Sequence, residues 1–350
     1  MGLEQRVLRR WRGLDAPPDA VVVVGFSGGG DSLALGAALG RIAAKGGVRP
    51  LLVHIDHGLR AGSDEEQTRA RELAGALGLP FRGMRARENP LERHRGVGTE
   101  EAARRERYRA LATVVAETGA AVVALAHHQE DQAETVLSHL LRGAGLTGAA
   151  GMAERRDLLV PWWEETELGD VRWVPLWRPF LTEARATVRR YAAKTGLTPI
   201  EDPSNWERVH RRNELRHEAI PLLERIWPGA TAALARFGEL AAADDVALET
   251  MADAAYERAA LAGDALRRVS LAEEPVAVRR RVVRRWLRER TGSRAVTADR
   301  IEAVLGLVQP GAGGRRVETG EGWGVWVDGG ALRVTRLPGA GGAGRGSDDE

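Results

Sequence analysis

The chain has 350 residues, 43% of them hydrophobic, and a formal net charge of +2 at pH 7. That length suffices for two or three domains, and the lack of cysteine excludes disulfides, thiolate metal sites and persulfide chemistry. Because no apolar stretch approaches the span of a bilayer and the N-terminus has no apolar signal core, we expect a cytoplasmic protein.

The first part of the chain alternates between strand and helix patterns. After a short helix over residues 3–14, the predicted elements are a strand from Val21, a helix from Leu33, a strand over Pro50–Ile55, a helix from Ser63 to Leu77, a strand over Leu79–Met84, a helix from Thr99 to Glu117, a strand over Ala121–Ala126 and a helix over Glu130–Leu141. This alternation predicts an α/β fold with a doubly wound, mostly parallel, Rossmann-like sheet. Ligands bind such sheets beyond the carboxyl ends of the strands.

The remainder is predicted to be mainly helical. Residues 160–180 are rich in Trp and Pro without a clear period, so we expect an irregular segment there. Helices are predicted over 183–195, 212–223, 230–262, 275–290 and 297–308. The helix over 275–290 has an apolar stripe of Val278, Val282, Val283, Trp286 and Leu287. Residues 316–336 predict a small hairpin-based β unit, and the tail after Pro338 is expected to be disordered.

A glycine-rich loop, Ser27-Gly28-Gly29-Gly30-Asp31-Ser32, joins the first strand to the next helix. Backbone N–H groups in such a loop and in the first helical turn bind anions, above all phosphates. The Walker loop is excluded because no lysine is present here, and the dinucleotide fingerprint is excluded because the glycines are adjacent. The sequence resembles the SGGxDS pyrophosphate loop of N-type ATP pyrophosphatases, with a plain glycine-rich turn as the alternative.

Two further motifs follow predicted strands, and others come later in the chain. They are His54-Ile55-Asp56-His57-Gly58-Leu59-Arg60, Ala126-His127-His128-Gln129-Glu130-Asp131-Gln132-Ala133-Glu134-Thr135, Glu101-Ala102-Ala103-Arg104-Arg105 with Arg107-Tyr108, Arg178-Pro179, Asp202-Pro203-Ser204-Asn205, and Arg212-Asn213 with Arg216. In this order, over roughly residues 20–225, the chain resembles the tRNA(Ile)-lysidine synthetase family of PP-loop enzymes. Glu130 departs from the family, which commonly has a shorter acid there.

The resemblance implies a reaction and a domain plan. ATP would adenylate C2 of the wobble cytidine in the isoleucine tRNA with a CAU anticodon, and free lysine would then replace AMP to give lysidine. The implied plan is a PP-loop catalytic domain over 1–225, with its core at about 20–150 and a family-specific extension over 151–225. A mainly helical tRNA-binding domain over 226–338 and a disordered tail over 339–350 would follow.

The resemblance and the chemistry of the side chains together suggest site residues. For ATP these are Ser27, Gly28, Gly29, Gly30, Asp31, Ser32 and His54. Asp31 is a hard oxygen ligand and the tentative anchor for Mg²⁺, and Arg104 or Arg105 would pair with phosphate oxygens. Asp131 and Glu134 lie three residues apart on one helix face and are expected to bind the lysine ammonium. We expect Asp31, Asp131 and Arg104 to be catalytic.

The residues expected to bind tRNA are Arg212, Asn213 and Arg216. Arg279–Arg290 is basic as well, and it fits either contact with tRNA or the solvated side of an amphipathic helix. The segment with Trp162, Trp163, Trp173 and Trp177 could stack an unpaired base, although core packing is the stronger interpretation. A second copy of the chain, as a homodimer, is also among the expected partners, and a membrane is not.

Other interpretations of these residues remain open at this point. His127, His128, Asp131 and His54 could form a zinc site, but the lack of cysteine disfavours it. His54 and His57 could line the adenine pocket or pair with carbonyls at the strand ends. Among other functions, a 2-thiocytidine synthetase relies on cysteine pairs, and amidotransferase-linked relatives need a glutaminase cysteine. A non-catalytic tRNA- or nucleotide-binding protein is the alternative from a different class.

Overall fold

The computed structural model describes residues 1–56, 63–86, 89–160, 173–201, 211–291, 296–309 and 311–337. The chain divides into two units, Met1–Ala242 and Ala243–Glu350. Several sequence-based predictions lie outside the described residues: those on 57–60, Trp162, Trp163, 202–205 and the tail. In the part of the chain that is described, no helix has both the length and the apolar character needed to cross a membrane.

The first unit is built on a six-stranded sheet with the order β3-β2-β1-β4-β6-β5. Its strands are β1 (Val21–Gly25), β2 (Arg49–Asp56), β3 (Phe81–Arg85), β4 (Val122–Ala124), β5 (Arg155–Leu159) and β6 (Trp173–Trp177). All neighbours pair in parallel except β5, which is antiparallel to β6. The predicted doubly wound, mostly parallel sheet is therefore confirmed.

Helices alternate with the strands, and all but the short α4 and α7 lie in regions that the sequence analysis predicts to be helical. They are α1 (Leu3–Arg12), α2 (Gly30–Ala43), α3 (Ser63–Ala76), α4 (Pro90–Arg93), α5 (Thr99–Thr118), α6 (Gln129–Leu141), α7 (Leu146–Ala149), α8 (Arg185–Ala193), α9 (Arg211–Glu214), α10 (Ile220–Ile226) and α11 (Ala230–Ala259). A π-helical turn over Leu215–Ala219 joins α9 to α10. The α5 helix begins at Thr99, as predicted, and Gly98 precedes it as the N-cap residue.

The central strand β1 is buried on both faces, as its run of valines predicts. Val22 and Val24 pack into an apolar core with residues of α1, α2 and α8. Val23 points to the opposite face and packs into a second core with residues of α5. Because successive side chains of a strand alternate between faces, a continuous apolar run suits a strand that is covered on both sides.

The prediction of an irregular segment over 160–180 is wrong for β6. Pro175 has no N–H to donate to a neighbouring strand, so proline is not expected inside a strand that is paired on both sides. The parallel partner β4 pairs only with Leu176 and Trp177, however, so Pro175 lies where β6 has a single neighbour, β5. Trp177 is fully buried and its ring lies 5.7 Å from that of Trp11, which makes it a core residue.

The second unit combines a five-stranded antiparallel sheet with helices. Its strands are β7 (Ala260–Leu261), β8 (Ala265–Arg267), β9 (Arg316–Gly320), β10 (Trp323–Asp328) and β11 (Ala331–Arg336), in the order β7-β8-β11-β10-β9. Its helices after α11 are α12 (Arg268–Ala272), α13 (Val276–Thr291) and α14 (Ala298–Gly306). The sequence analysis did not predict β7, β8 or α12.

Helix α13 buries its apolar stripe and pairs its basic side. All five residues of the predicted stripe are completely buried, which confirms the amphipathic pattern. On the other side, Arg281 donates to Asp245 at 2.5 Å, Arg285 donates to Asp253 at 2.8 Å, and Arg284 pairs with a third acid of α11. Much of the basic run is therefore engaged with α11.

These two sides of α13 predict unequal contributions to stability. Leu287→Ala should lower the free energy of unfolding by about 2–5 kcal/mol, because it leaves a cavity in the core. Arg285→Gln on the same helix should cost at most about 1 kcal/mol, because its ion pairs are exposed to solvent. Denaturant unfolding of the full chain would measure both. An equal loss in the two variants would contradict this division.

Candidate active site

The glycine loop turns sharply between β1 and α2. Gly28 has a φ of +79°, a left-handed conformation that side chains rarely adopt. Its carbonyl oxygen accepts a hydrogen bond from the Ile200 N–H at 2.9 Å. A Cβ atom at Gly28 would lie 2.4 Å from Ile200 Cδ1, so the packing behind the loop also requires glycine here.

The loop's polar groups hold its shape and leave donors free at the start of α2. The Ser27 hydroxyl accepts from the Gly29 N–H at 3.3 Å and lies 3.2 Å from the Ser32 hydroxyl, which donates to the Gly29 carbonyl at 3.0 Å. The N–H groups of Gly30, Asp31 and Ser32 occupy the first turn of α2, where no carbonyl within the helix can accept them. Such a helix end binds anions.

His54 forms a hydrogen bond with the residue that follows β1. Its ring is buried, and Nδ1 donates to the Phe26 carbonyl at 3.1 Å. Burial lowers the pKa of His54, with the Phe26 hydrogen bond acting in the opposite direction, so the ring is neutral at pH 7. This contact matches the alternative in which His54 pairs with a carbonyl at a strand end, and contact with ATP remains a proposal.

His128 links the glycine loop to α6. Its Nε2 lies 3.6 Å from Asp31 Oδ2 and 3.4 Å from Asp131 Oδ2, and its Nδ1 lies 3.1 Å from Glu130 Oε2. Burial opposes protonation of this ring, but the contacts with Asp31 and Glu130 outweigh it and raise the pKa of His128 to about 9. His128 therefore carries a positive charge among three carboxylates at pH 7.

The longer side chain of Glu130 connects two helices. Besides its contact with His128, Oε2 accepts a hydrogen bond from the Arg185 N–H at 2.9 Å, at the start of α8. Burial would raise the pKa of Glu130, but these hydrogen bonds lower it. The reach of a glutamate thus fastens α6 to α8 while it holds His128 in place.

Two buried carboxylates and two arginines form the centre of the site, and we refer to Asp131, Glu134, Arg212 and Arg216 as the ion-pair cluster. Arg212 Nε donates to Glu134 at 3.0 Å, and Arg216 Nε donates to Glu134 at 2.6 Å. Arg216 Nη2 also donates to Asp131 at 2.8 Å. The carboxylates expected to bind lysine and the arginines expected to bind tRNA therefore contact each other.

The ion-pair cluster shifts the acid–base properties of its members. Burial would raise the pKa of Asp131, but the charges of His128 and Arg212 and the hydrogen bond from the His128 N–H lower it. The hydrogen bond with Glu134 raises the pKa of Arg216 against the effect of burial. Asp131 therefore stays ionised, which suits the binding of a cation better than the uptake of a proton.

A group of cations lies beside the cluster. Arg178 is buried, and it donates to the Ala153 carbonyl at 2.7 Å and to His127 Nδ1 at 3.3 Å. Burial lowers the pKa of His127, and the nearby charges of Arg178, Arg212 and Arg107 lower it further, so His127 is neutral. Arg104 stacks on the Tyr108 ring, with its guanidinium carbon 5.3 Å from the centroid. These cations can receive phosphate or carboxylate oxygens.

The structure brings most of the predicted residues to one edge of the sheet. The loop residues, His54, Asp31, Asp131 and Glu134 all lie at or just beyond the carboxyl ends of β1, β2 and β4. Arg105 instead pairs with Glu101 on its own helix at 3.1 Å, and Asn213 lies on α9 between the two arginines. The linking role of His128 and the places of Arg107 and Arg178 were not predicted, although all three belong to the quoted motifs.

A metal could bind here only with help from the substrate. In the described ranges, no group of three or more His, Asp or Glu side chains is arranged to hold a metal ion. Asp31 Oδ1 is nevertheless buried and has no hydrogen-bond partner among the described residues. One carboxylate oxygen beside a phosphate-binding loop fits Mg²⁺, which proteins commonly hold through one or two carboxylates and the substrate's phosphates.

Two family models match the chain. One, described as a PP-loop domain, matches residues 4–223 and so covers the glycine loop and the ion-pair cluster. The other, described as a TilS substrate binding domain, matches residues 266–333 in the second unit.

Three curated relatives of this chain have the same name. The chain is 37% identical to a tRNA(Ile)-lysidine synthase of Thermobifida fusca, over 87% of this chain and 88% of that protein. It is 38% identical to the corresponding protein of Leifsonia xyli, over 76% of each chain. For the Thermus thermophilus enzyme the identity is also 38%, but the match spans only 50% of that longer protein.

A solved structure shares the fold. The tRNA thiolase NcsA of Methanococcus maripaludis superposes with a TM-score of 0.55, covering 68% of this chain and 78% of that chain. At 17% identity this match supports the PP-loop fold and carries no information on the reaction.

The geometry of the loop predicts that Gly28→Ala weakens nucleotide binding by at least about tenfold, because the variant combines an unfavourable φ with a clash against Ile200. Gly46→Ala is the matched control: Gly46 has a φ of +83°, but a Cβ atom there meets nothing within 4 Å. Titration with ATP would compare the two. Equal losses would show that backbone strain alone, and not the loop, causes the effect.

Proposed function

The chain belongs to the tRNA(Ile)-lysidine synthase family, and we propose that its first unit ligates free lysine to C2 of the wobble cytidine in the isoleucine tRNA with a CAU anticodon. One observation carries this proposal: an anion-binding loop lies next to a buried pair of carboxylates, with His128 between them. The reaction needs both, because a polyphosphate, a base and an ammonium compound must bind in the same site.

In the first step, the C2 carbonyl oxygen of the cytidine attacks the α-phosphorus of ATP. The new O–P bond forms as the bond to the β-phosphate breaks, and pyrophosphate leaves. We propose that the amides at the start of α2 and the hydroxyls of Ser27 and Ser32 hold the leaving pyrophosphate, and the free donors of that helix end support this role. Arg104 is proposed to offset charge on the phosphates.

In the second step, the ε-nitrogen of lysine attacks C2 and AMP leaves with the carbonyl oxygen. The ε-ammonium must first lose a proton, which passes to solvent water, because the lone pair on nitrogen forms the new bond. Asp131 and Glu134 are proposed to bind the ammonium and to orient it toward C2. The lowered pKa of Asp131 favours this binding role.

A magnesium ion is part of the proposal as well. When bound, Mg²⁺ offsets charge on the phosphates of ATP, and Asp31 is the residue that would hold it. The unpartnered oxygen of Asp31 supports this assignment. His128 keeps the other oxygen of Asp31 within 3.6 Å of its ring and so orients the carboxylate.

The two matched regions support a functional division of the chain. We assign catalysis to 1–225, with its core at about 20–150, and tRNA binding to 226–338. The cytidine must leave its stack in the anticodon loop to reach the site, as bases do in other enzymes that modify them. Residues 226–338 are proposed to hold the tRNA body, and the pairing of α13 with α11 leaves only part of the basic run for this role.

The test is a lysidine-forming assay with ATP, Mg²⁺, radiolabelled lysine and a CAU-anticodon isoleucine tRNA transcript. The wild-type chain should incorporate lysine and release AMP. Asp131→Asn and Glu134→Gln should raise the KM for lysine by at least about tenfold, because each removes a charge from the ammonium site, and should leave the KM for ATP within about twofold.

Two controls separate binding from folding. Asp31→Ala should abolish incorporation while the fold, measured by circular dichroism, persists. Glu101→Gln changes an acid that pairs with Arg105 on the surface of α5, and it should leave the KM for lysine unchanged. Lysine incorporation without ATP, or none with all substrates present, would overturn the proposal.

A further inference from the structure

Every carboxylate oxygen of the ion-pair cluster already has a partner from the chain itself. Glu134 Oε1 accepts from Arg216 at 2.6 Å, and Oε2 accepts from Arg212 at 3.0 Å and from Arg216 at 2.9 Å. Asp131 Oδ1 accepts from both arginines, and Oδ2 accepts from the His128 N–H at 3.0 Å. A third cation therefore finds no unoccupied oxygen.

The charges of the cluster are also balanced. Two buried carboxylates face two guanidiniums, and burial makes an unpaired charge of either sign costly. A lysine ammonium that entered beside both arginines would leave three cations facing the two carboxylates. Lysine must therefore displace one or both arginines before it can bind the two acids.

The arginines have a direction in which to move. The side chains of Arg212 and Arg216 keep 36% and 18% of their surface exposed, whereas the Glu134 side chain is 2% exposed. The charge of Arg212 acts on His127 together with the charges of Arg107 and Arg178, and it acts on Arg107 as well. This excess of cations attracts a polyanion, and guanidiniums bind phosphate as readily as carboxylate.

The helix that carries the arginines is irregular at this point. The π-helical turn begins at Leu215 and includes Arg216, whereas Arg212 lies on α9 just before it. Such turns are rare and occur often at functional sites. The backbone between the two arginines thus departs from the regular helix where their partners would change.

We propose that Arg212 and Arg216 occupy the lysine site of the free protein and vacate it when phosphates of the bound tRNA take over their guanidiniums. The inference rests on the proposed function, because it assumes that Asp131 and Glu134 bind the lysine ammonium. Its consequence is that the lysine site becomes available only when the acceptor tRNA is present. Linkage then requires that lysine tighten tRNA binding by the same factor by which tRNA tightens lysine binding.

The first measurement uses the wild-type chain alone. Equilibrium dialysis with radiolabelled lysine, in the absence of ATP, should show that the CAU-anticodon isoleucine tRNA transcript raises lysine affinity by at least about tenfold, within the usual range of coupling between sites. Dialysis of lysine against the transcript without protein corrects for direct binding. An affinity for lysine that tRNA leaves unchanged would overturn the inference.

The second measurement removes the competitors. Arg212→Gln and Arg216→Gln, singly and together, should bind lysine without tRNA at least about tenfold more tightly than the wild type, and the double variant should lose the effect of tRNA. Arg82→Gln is the matched control, because it removes an arginine from an exposed ion pair with Glu117 in the same unit, and it should behave as the wild type. Thermal unfolding confirms that each variant is folded.

The direction of the change decides between two roles. If the arginines only position the acids, their removal should weaken lysine binding or leave it unchanged, and that result would overturn the inference. A wild-type chain that forms lysidine while the variants bind lysine no more tightly would leave the proposed function standing. A wild-type chain that forms no lysidine with all substrates present would overturn the proposed function itself.

Discussion

The burial of two carboxylates on one face of α6 is the constraint on which the arrangement of the site depends. Asp131 and Glu134 lie at the carboxyl end of the sheet with little access to water, and ionised carboxylates in such a place must be paired. Arg212 and Arg216 come from more than 75 residues further along the chain to do so.

The same constraint divides the site into two regions of opposite preference. Donors of the glycine loop face one way and suit the phosphates of ATP, whereas the acids of α6 suit an ammonium group. His128 lies between them with its positive charge, within 3.6 Å of Asp31 and 3.4 Å of Asp131. Its positive charge allows the carboxylates of Asp31 and Asp131 to lie close together. In the proposed reaction, a polyphosphate and an amine would therefore bind next to the same base.

Local patterns predicted much of this fold, because their causes are local. The valines of β1, the stripe of α13 and the three adjacent glycines each report their own burial or backbone geometry, and all lie where the sequence indicates. Strand β6 was not predicted, because Pro175 and the tryptophans give its sequence no clear strand pattern. Its place in the sheet depends on the short overlap with β4. The partners of Arg212 and Arg216 escaped it too, because nothing in a sequence states which distant charges meet.

Arginine-rich segments therefore have to be interpreted by their partners and not by their composition. In α13, a run that suggests a polyanion surface is largely paired with acids of α11. Near α6, two arginines assigned to tRNA by resemblance are paired with acids as well. The two cases differ in what surrounds the pairs. Arg212 acts on His127 together with two further cations, Arg107 and Arg178, and the acids at α6 are the ones that we propose bind lysine. Pairing in α13 stabilises a domain, whereas we propose that the pairing at α6 breaks when the substrates bind.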